Sequence, residues 1–329
     1  MKIIDLFSGI GGFSLGFQRA GFHFTEHYFS EIDKHAIANY KQNFPNAKYI
    51  GDITTIQPAD IAGADIITFG SPCVDFSIAG KRAGLAGAKS SLIKKAIALI
   101  AHVRPSVFIW ENVKGAFSSN SGADFWAILQ AFANIGGYRL EWQLLNTSWL
   151  LPQNRERIYL VGHLAGRSIP GIFPIGENDF VPTTKSKSQS QTQISTTIKA
   201  NGNMNADDTY IIPKTASTLT GGGHSGGLHS DMTVIRQLPR GKNKGADLTI
   251  CPTISSNAFQ ENNLLCGIRR LTEIECERLQ GFPDNWTQYG NYNGRKRRIS
   301  KTQRYKLIGN AVTVDIVELI AKRLKIIKQ

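Results

Sequence analysis

The sequence predicts an α/β fold, in which a mostly parallel sheet covered by helices is joined to a smaller, loop-rich domain. Over the first 165 residues, short apolar runs alternate with segments whose apolar residues recur at spacings of three and four. This alternation is typical of βαβ units with right-handed crossovers. After Gly166 the helical periodicity disappears, and Ser, Thr, Gly, Asn and Lys dominate to about residue 263. Interspersed Ile, Leu, Val and Tyr favour a folded domain there over disorder.

The elements follow in order along the chain. The predicted strands begin near Lys2, His27, Ile66, Val107, Leu140 and Ile158. The predicted helices span residues 13–20, 34–43, 91–102, 123–135 and 314–327. Thr272 and Glu275 form a capping-box pattern at the start of a further helix, which Gly281 and Pro283 end.

Composition narrows the class of protein. The 329 residues carry a formal charge of +13, which predicts a polyanionic partner, although a protein that is basic only for solubility has a similar balance. No apolar run approaches the roughly 18 residues of a membrane span, and Asp5 interrupts the first run, so we expect neither a membrane segment nor a signal peptide. The four cysteines form no CxxC pair, which argues against zinc and disulfides and favours a reducing cytoplasm.

Reactive side chains stand beside three of the apolar runs, where open α/β sheets place their ligands. Cys73 follows the run 66–69, Glu111 ends the run 107–110, and Arg155 and Arg157 precede the run 158–161. A thiol, a carboxylate and two guanidiniums suit covalent attack on an electron-poor ring. The structural alternatives are a buried cysteine and a strand-end salt bridge.

The first strand leads into a glycine-rich turn with Gly9, Gly11 and Gly12, which opens a helix. Glycines allow a ligand to approach the backbone closely at a helix N-terminus. Glu31, about twenty residues on, can accept hydrogen bonds from both hydroxyls of a ribose, and Asp52 can accept from an adenine amino group. The pattern departs from GxGxxG at Ser14, which suits S-adenosylmethionine because that ligand has no pyrophosphate.

In its motifs and their order, the chain resembles bacterial DNA (cytosine-5)-methyltransferases of the restriction–modification type. The resemblance covers nearly the whole chain apart from the variable middle. The matching segments are residues 5–12, Glu31, 51–53, 71–77, 111–113, 153–157, 269–283 and 309–312.

The resemblance implies a Rossmann-like S-adenosylmethionine-dependent methyltransferase domain with a smaller target-recognition domain. It implies that Cys73 attacks C6 of a cytosine flipped out of duplex DNA, so that C5 takes the methyl group of S-adenosyl-L-methionine and S-adenosyl-L-homocysteine leaves. Glu111 would hold cytosine N3. Arg155 or Arg157 would contact O2 and orient Glu111, and the other would bind backbone.

The resemblance also implies the contacts to cofactor and DNA. The expected cofactor-binding residues are Phe7, Gly9, Gly11, Gly12, Glu31, Ile32, Asp52, Ile53, Pro72, Leu92, Asn310 and Val312. The expected DNA-binding residues are Ser77, Thr253 and Arg270, and no metal is expected. Seven Lys or Arg between Arg295 and Lys306 are further candidates for phosphate contact. Val74 stands where the family usually has glutamine. We expect activity to survive because this position has no role in making or breaking covalent bonds.

We divide the chain into a catalytic and cofactor-binding domain at 1–168, a target-recognition domain at 169–302 that includes 269–283, and a C-terminal helix at 303–329 that returns to the catalytic domain. We expect a cytoplasmic monomer on nucleoid DNA, with or without a cognate restriction endonuclease in the same cell and without a stable complex. Three alternatives stay open: an RNA cytosine-5 methyltransferase, an inactive DNA-binding relative, and an NAD-dependent oxidoreductase, against which Ser14 speaks.

Overall fold

The computed structural model describes residues 1–61, 63–71, 90–176, 235–237, 246–248, 251–252, 263–265 and 269–327. No helix in these ranges is long and apolar enough to cross a membrane. The strands up to residue 169 are β1 Lys2–Leu6, β2 Glu26–Ser30, β3 Lys48–Tyr49, β4 Ile66–Gly70, β5 Val107–Val113, β6 Tyr138–Asn146, β7 Gln153–Asn154, β8 Glu156–Leu164 and β9 Ser168–Ile169. The later strands are β10 Ile235–Gln237, β11 Ala246–Leu248, β12 Cys251–Pro252, β13 Asn263–Leu265, β14 Arg269–Arg270, β15 Tyr289–Tyr292, β16 Arg295–Arg298 and β17 Lys325–Ile326.

Seven strands form one sheet in the order β3-β2-β1-β4-β5-β8-β6. β1 to β5 pair in parallel, and β8 runs antiparallel to both β5 and β6. The carboxyl ends of β1, β2, β4 and β5 therefore meet at one edge, which we call the carboxyl edge. The mostly parallel α/β sheet predicted from the sequence is confirmed.

Helices cover both faces of this sheet. They are α1 Gly12–Arg19, α2 Lys34–Asn43, α3 Ser90–Val103, α4 Gly115–Ser118, α5 Ala123–Ala133, α6 Glu273–Leu279, α7 Lys301–Asn310 and α8 Val314–Arg323. Ile3 packs with Phe17 of α1 on one face, whereas the next residue, Ile4, packs with Ile100 of α3 on the other. Both isoleucines are fully buried, as expected for a parallel strand covered on two sides.

The C-terminal part of the chain returns to the first helix. α8 packs on α1, where a Cβ on Gly16 would lie 2.6 Å from Val317, so only glycine permits this approach. The sequence predicts that the last helix extends to residue 327, but it ends at Arg323. The backbone beyond it pairs instead with β9 as strand β17, which supplies sheet hydrogen bonds in place of helical ones.

Residues 271–302 also lie against the large sheet and its helices. The predicted capping box is confirmed: the Thr272 hydroxyl accepts from the backbone N–H of Glu275, whose carboxylate accepts from the backbone N–H of Thr272. Phe282 and Ile299 share an apolar cluster with Ile10 and Phe29. This part of the segment assigned above to the target-recognition domain thus packs against the turn after β1 and against β2. β11, β10, β13 and β14 form a separate small sheet.

Candidate active site

The turn between β1 and α1 folds as the glycine pattern predicts. Phe7, Gly9 and Gly11 have positive φ angles of 50°, 53° and 85°. A Cβ on Gly12 would lie 2.7 Å from Val312, so this glycine lets the C-terminal segment approach the turn. The backbone of the turn is thereby bent into an open cradle at the start of α1, where N–H groups and the helix dipole favour a polar ligand.

Glu31 is fixed beside this turn by three backbone donors. Oε2 of Glu31 accepts from the N–H of Gly9 at 2.8 Å, and Oε1 accepts from the N–H groups of Ile32 at 2.7 Å and Asp33 at 2.9 Å. The carboxylate links the end of β2 to the turn after β1. Each carboxylate oxygen has two acceptor positions, so Oε1 is fully used and one position remains on Oε2 for a ribose hydroxyl.

The other predicted cofactor residues surround the same edge. Ile32 is 75% exposed, which leaves an apolar side chain in solvent next to Glu31. The Oδ1 of Asp52 accepts from the backbone N–H of Thr54 at 3.0 Å. Ile53 is buried in the apolar core, and Leu92 packs against that core from α3. An open apolar surface beside two carboxylates fits an adenosine moiety, whose ring is apolar and whose ribose and amine are donors.

A polar cluster that the sequence analysis missed lies directly beneath the turn. We call Asp5, Ser14, His27, Tyr40 and Thr68 the Asp5 network. Asp5 accepts hydrogen bonds from the hydroxyls of Ser14, Tyr40 and Thr68 at 3.0 to 3.1 Å. Nε2 of His27 is 3.0 Å from the Ser14 hydroxyl and 2.7 Å from that of Tyr40. Two signals for it were visible: an acid inside an apolar strand, and serine at the third glycine position.

Burial sets the charge state of this network. Burial raises the pKa of Asp5 to about 7, although the three hydroxyl donors oppose the shift. Burial also lowers the pKa of His27 to about 4, so this imidazole is neutral at physiological pH. The turn thus rests on a cluster with at most a single negative charge.

The end of β4 is tied to β5 just before the segment that contains the predicted nucleophile. The hydroxyl of Ser71 accepts from Nε1 of Trp110 at 2.9 Å and from Nδ2 of Asn112 at 3.0 Å. Gly70 pairs in register with Glu111, and a Cβ at Gly70 would lie 3.1 Å from Oε2 of Glu111. Both contacts fix where the chain leaves the sheet. Pro72, Cys73, Val74 and Ser77 themselves lie outside the described residues.

Glu111 and Arg157 form an ion pair across the β5–β8 boundary. Nε of Arg157 lies 3.1 Å from Oε1 of Glu111, and the two side chains are only 14% and 10% exposed. A second arginine nitrogen donates to the backbone carbonyl of Glu156 at 2.8 Å. The pair lies at the carboxyl edge, one strand over from Gly70. The pair places the carboxylate of Glu111 beside the planar N–H donors of Arg157. A flat polar ring can hydrogen-bond to an acceptor and to donors placed in this way.

Arg155 has different partners from Arg157. Its guanidinium donates to the carbonyl of Ala311 at 2.8 Å and to that of Gly309 at 3.4 Å, and the residue is only 3% exposed. These carbonyls flank Asn310, which is exposed, and precede Val312, which packs on the turn at Gly12. Arg155 therefore fastens the segment 309–312 to the sheet.

The predicted DNA contacts are described only in part. Thr253 lies outside the described residues, and Arg270 lies on β14 with its side chain outside the described part of the chain. Of the seven cations between Arg295 and Lys306, Arg304 pairs with Glu277, and Lys306 pairs with Asp33. Within the described ranges, no group of three or more His, Cys, Asp or Glu side chains could hold a metal ion.

Comparison with known proteins gives one consistent family. The family model described as "C-5 cytosine-specific DNA methylase" matches residues 1–326. The Type II methyltransferase M.NgoBI of Neisseria gonorrhoeae is 32% identical over 330 residues, which cover 98% of this chain and 92% of that protein. The Type II methyltransferase M.HaeII of Haemophilus aegyptius is 32% identical over 328 residues, with 97% and 91% covered.

The solved structures support the fold. The Dnmt2 methyltransferase of S. pombe matches with a TM-score of 0.60 at 18% identity, over 96% of this chain and 96% of that one. At this identity, the likeness concerns the arrangement of strands and helices alone.

Proposed function

This chain belongs to the C-5 cytosine-specific DNA methylase family and is a DNA cytosine-5 methyltransferase of the restriction–modification kind, and on that premise we propose which of its residues carry the reaction. Cys73 is the nucleophile, Glu111 holds cytosine N3 and Arg157 holds O2. The observation that carries this proposal is the ion pair between Glu111 and Arg157 at the carboxyl edge, one strand from where β4 leads to Cys73.

The chemistry needs a nucleophile because C5 of cytosine is itself a poor one. The Cys73 thiolate forms a bond to C6, and the electron pair of the C5–C6 double bond moves to C5 as Glu111 supports N3. S-adenosyl-L-methionine, when bound, supplies the electrophilic methyl group and leaves as S-adenosyl-L-homocysteine. After methyl transfer, C5 loses its proton to a base, the C6–S bond breaks, and the double bond re-forms. Arg157 stabilises the negative charge that builds up at O2.

The cofactor fits the residues around the turn. The glycine cradle at Gly9 to Gly12 gives a ligand access to the backbone, and Oε2 of Glu31 keeps one acceptor position for a ribose hydroxyl. Phe7, Ile32, Ile53, Pro72 and Leu92 line the adenine and methionine parts, and Asp52 takes the adenine amine. Asn310 and Val312 close the site from the C-terminal segment.

Arg155 is a positioning residue in this proposal. Its two carbonyl contacts hold residues 309–312, and this segment in turn packs on the cofactor turn through Val312 and Gly12. Arg155 therefore affects cofactor binding through the segment that it fixes, whereas Arg157 contacts the target cytosine.

The substrate is double-stranded DNA with a short recognition sequence, and the target cytosine is flipped out to reach Cys73. Residues 169–302 contribute the recognition domain, with Ser77, Thr253 and Arg270 on the DNA. The enzyme acts as a monomer in the cytoplasm, on nucleoid DNA, and a partner endonuclease needs no stable complex with it. Another side chain fills the position that the family's glutamine occupies, because Val74 cannot hydrogen-bond the unpaired guanine.

The test is tritium transfer from labelled S-adenosyl-L-methionine into duplex DNA, with bisulfite sequencing of the product. We expect methylation at one short motif, lost in Cys73→Ala and kept in Cys266→Ser. Duplex DNA that carries 5-fluorocytosine in that motif should trap wild type, but not Cys73→Ala, as a covalent complex, because fluorine at C5 cannot leave as a proton. Transfer to RNA but not to DNA would contradict the substrate assignment, and a trapped complex with Cys73→Ala would contradict the nucleophile.

A further inference from the structure

The basic hairpin β15–β16 has no role in the site described above. Its strands are joined by Asn293 and Gly294, whose positive φ angles of 50° and 83° form the tight two-residue loop that hairpins prefer. All four residues of β16 (Arg295, Lys296, Arg297 and Arg298) are exposed cations. Within the part of the chain that the structure describes, none of them forms an ion pair with a carboxylate.

Three acids in elements next to this hairpin already have partners. Asp33 pairs with Lys306, Glu277 pairs with Arg304, and Asp284 pairs with Arg278. Arg298 lines a pocket together with Glu273. Arg295, Lys296 and Arg297 form an exposed positive surface that no carboxylate of the described residues neutralises by an ion pair. Such a surface attracts a polyanion and loses that attraction as salt is added.

The hairpin is held firmly against α2. Nδ2 of Asn39 donates to the carbonyls of Trp286 at 2.8 Å and Tyr289 at 2.9 Å. The Tyr292 hydroxyl lies 2.6 Å from Nδ1 of His35, and a Cβ on Gly290 would lie 2.9 Å from that of Ala38. Because the backbone is fixed at both ends of β15, a polyanion can bind these cations without first ordering the chain.

These contacts also fix the direction in which the hairpin points. His35, near the start of α2, meets Tyr292, whereas Asn39, one turn on, meets Tyr289, so β15 runs antiparallel to α2. Since α2 connects the parallel strands β2 and β3, it starts at the carboxyl edge. The tip of the hairpin, with Arg295 beside it, is therefore at the carboxyl edge, where Glu31 and Glu111 also lie.

We propose that the β15–β16 hairpin is a second DNA-binding surface, which contacts backbone phosphates outside the recognition sequence through Arg295, Lys296 and Arg297. The proposal rests on the proposed function, because DNA bound at the carboxyl edge is what brings phosphates to the tip. β2 lies three strands from β5, about 14 Å at the usual strand spacing. At about 3.4 Å per base pair, the contact lies about four or more base pairs from the target cytosine.

The test compares two triple variants that remove the same charge. Arg295→Gln/Lys296→Gln/Arg297→Gln neutralises the tip. Arg139→Gln/Arg167→Gln/Lys325→Gln removes three exposed cations at or near the opposite edge, at the start of β6, after the end of β8 and on β17. Thermal unfolding checks that both remain folded. Affinity is measured by fluorescence anisotropy against salt, on a duplex that ends about four base pairs from the methylated cytosine and on one that extends about fifteen.

We expect the wild type and the control variant to bind the long duplex more tightly than the short one. The hairpin variant should bind both duplexes equally, and its plot of log affinity against log salt should be shallower by about one unit for each phosphate that it no longer binds. Methyl transfer to the short duplex should stay at the wild-type rate. An unchanged slope or an equal weakening in the control variant would overturn the proposal.

The binding measurement tests the hairpin independently of whether the protein transfers a methyl group. If the wild type binds DNA but transfers no methyl group, the proposed function fails, while the slopes measured on a duplex of arbitrary sequence still decide the role of the hairpin.

Discussion

Asp5 and Glu111 are both carboxylates near the carboxyl ends of strands in the same sheet, yet they have opposite surroundings. Asp5 is fully buried among three hydroxyls and forms no ion pair with any described residue, whereas Glu111 is paired with the guanidinium of Arg157 and keeps a small exposed fraction. Burial, which the neutral hydroxyl donors oppose only in part, raises the pKa of Asp5 to about 7 and fits a structural role beneath the turn. Glu111 instead has a charged partner at the carboxyl edge, which is the arrangement on which its proposed role in holding cytosine rests. Two carboxylates of one sheet thus differ in the kind of partner that the fold gives them.

The largest effect should come from Glu111. Glu111→Gln removes the carboxylate at cytosine N3, and we expect methyl transfer to fall by about 10²- to 10⁴-fold while cofactor binding stays unchanged. Single-turnover tritium transfer measures the rate, and calorimetry with S-adenosyl-L-homocysteine measures binding. Glu156→Gln is the matched control, since Glu156 stands on the same strand as Arg157 but pairs with Lys114 at the surface. Equal rates for the two variants would contradict the role of Glu111.

Substitution of the two arginines should have different main effects, on the rate of methyl transfer for Arg157 and on stability for Arg155. Arg157→Gln should lower the rate of transfer by about 10²-fold, because it removes the donors proposed to stabilise the charge at O2, and it also leaves the carboxylate of Glu111 without its cation. Arg155→Gln should lower the free energy of unfolding by about 3 kcal/mol, because buried carbonyls at residues 309 and 311 lose their donors. Urea unfolding and the rate of transfer are measured for both. If Arg155→Gln caused the larger loss of rate and Arg157→Gln the larger loss of stability, the two proposed roles would have to be exchanged.

Substitution of Glu31 should weaken cofactor binding and change little else. Glu31→Gln replaces a charged acceptor by an amide, and we expect S-adenosyl-L-homocysteine to bind about 10- to 100-fold more weakly. Glu26→Gln, at the exposed start of β2, the strand that leads to Glu31, is the control and should bind normally. Weaker binding in both variants would mean that the charge of this edge, and not the Glu31 contact, sets the affinity.

The smallest effect concerns pH and the Asp5 network. The raised pKa of Asp5 means that folding takes up a proton between about pH 4 and 7, so Asp5 lowers stability as pH rises through that window. The lowered pKa of His27 means that folding releases a proton between about pH 4 and 6.5, so His27 raises stability as pH rises. These slopes, each about 1.4 kcal/mol per pH unit, oppose one another.

Substituting one residue at a time should reveal the pH dependence of stability that each residue contributes. Asp5→Asn should become less stable toward pH 4 relative to the wild type, and His27→Gln should become more stable toward pH 4 relative to the wild type. Urea unfolding across this range measures both. If Asp5→Asn keeps the pH profile of the wild type, Asp5 does not titrate as its burial indicates.

Local sequence was enough for most of the elements and for the glycine turn beside Glu31. Alternating apolar runs placed β1, β2, β4, β5, β6 and β8, and the helical spacings placed the helices between them, because burial on one or two faces imposes a period on the side chains. The glycine turn with Glu31 likewise follows from short spacings. The end of the last helix was wrong because residues 325–326 pair with β9, more than 150 residues away.

Only the tertiary structure decided which side chains meet. Arg155 and Arg157 stand two residues apart and are equivalent in the sequence, yet one binds the carbonyls at residues 309 and 311 and the other binds Glu111. The Asp5 network joins five elements, and the basic hairpin reaches the carboxyl edge only because it packs on α2. Periodicity along a chain records which face of an element is buried. Contacts between distant elements depend instead on how those faces pack, which no local spacing contains.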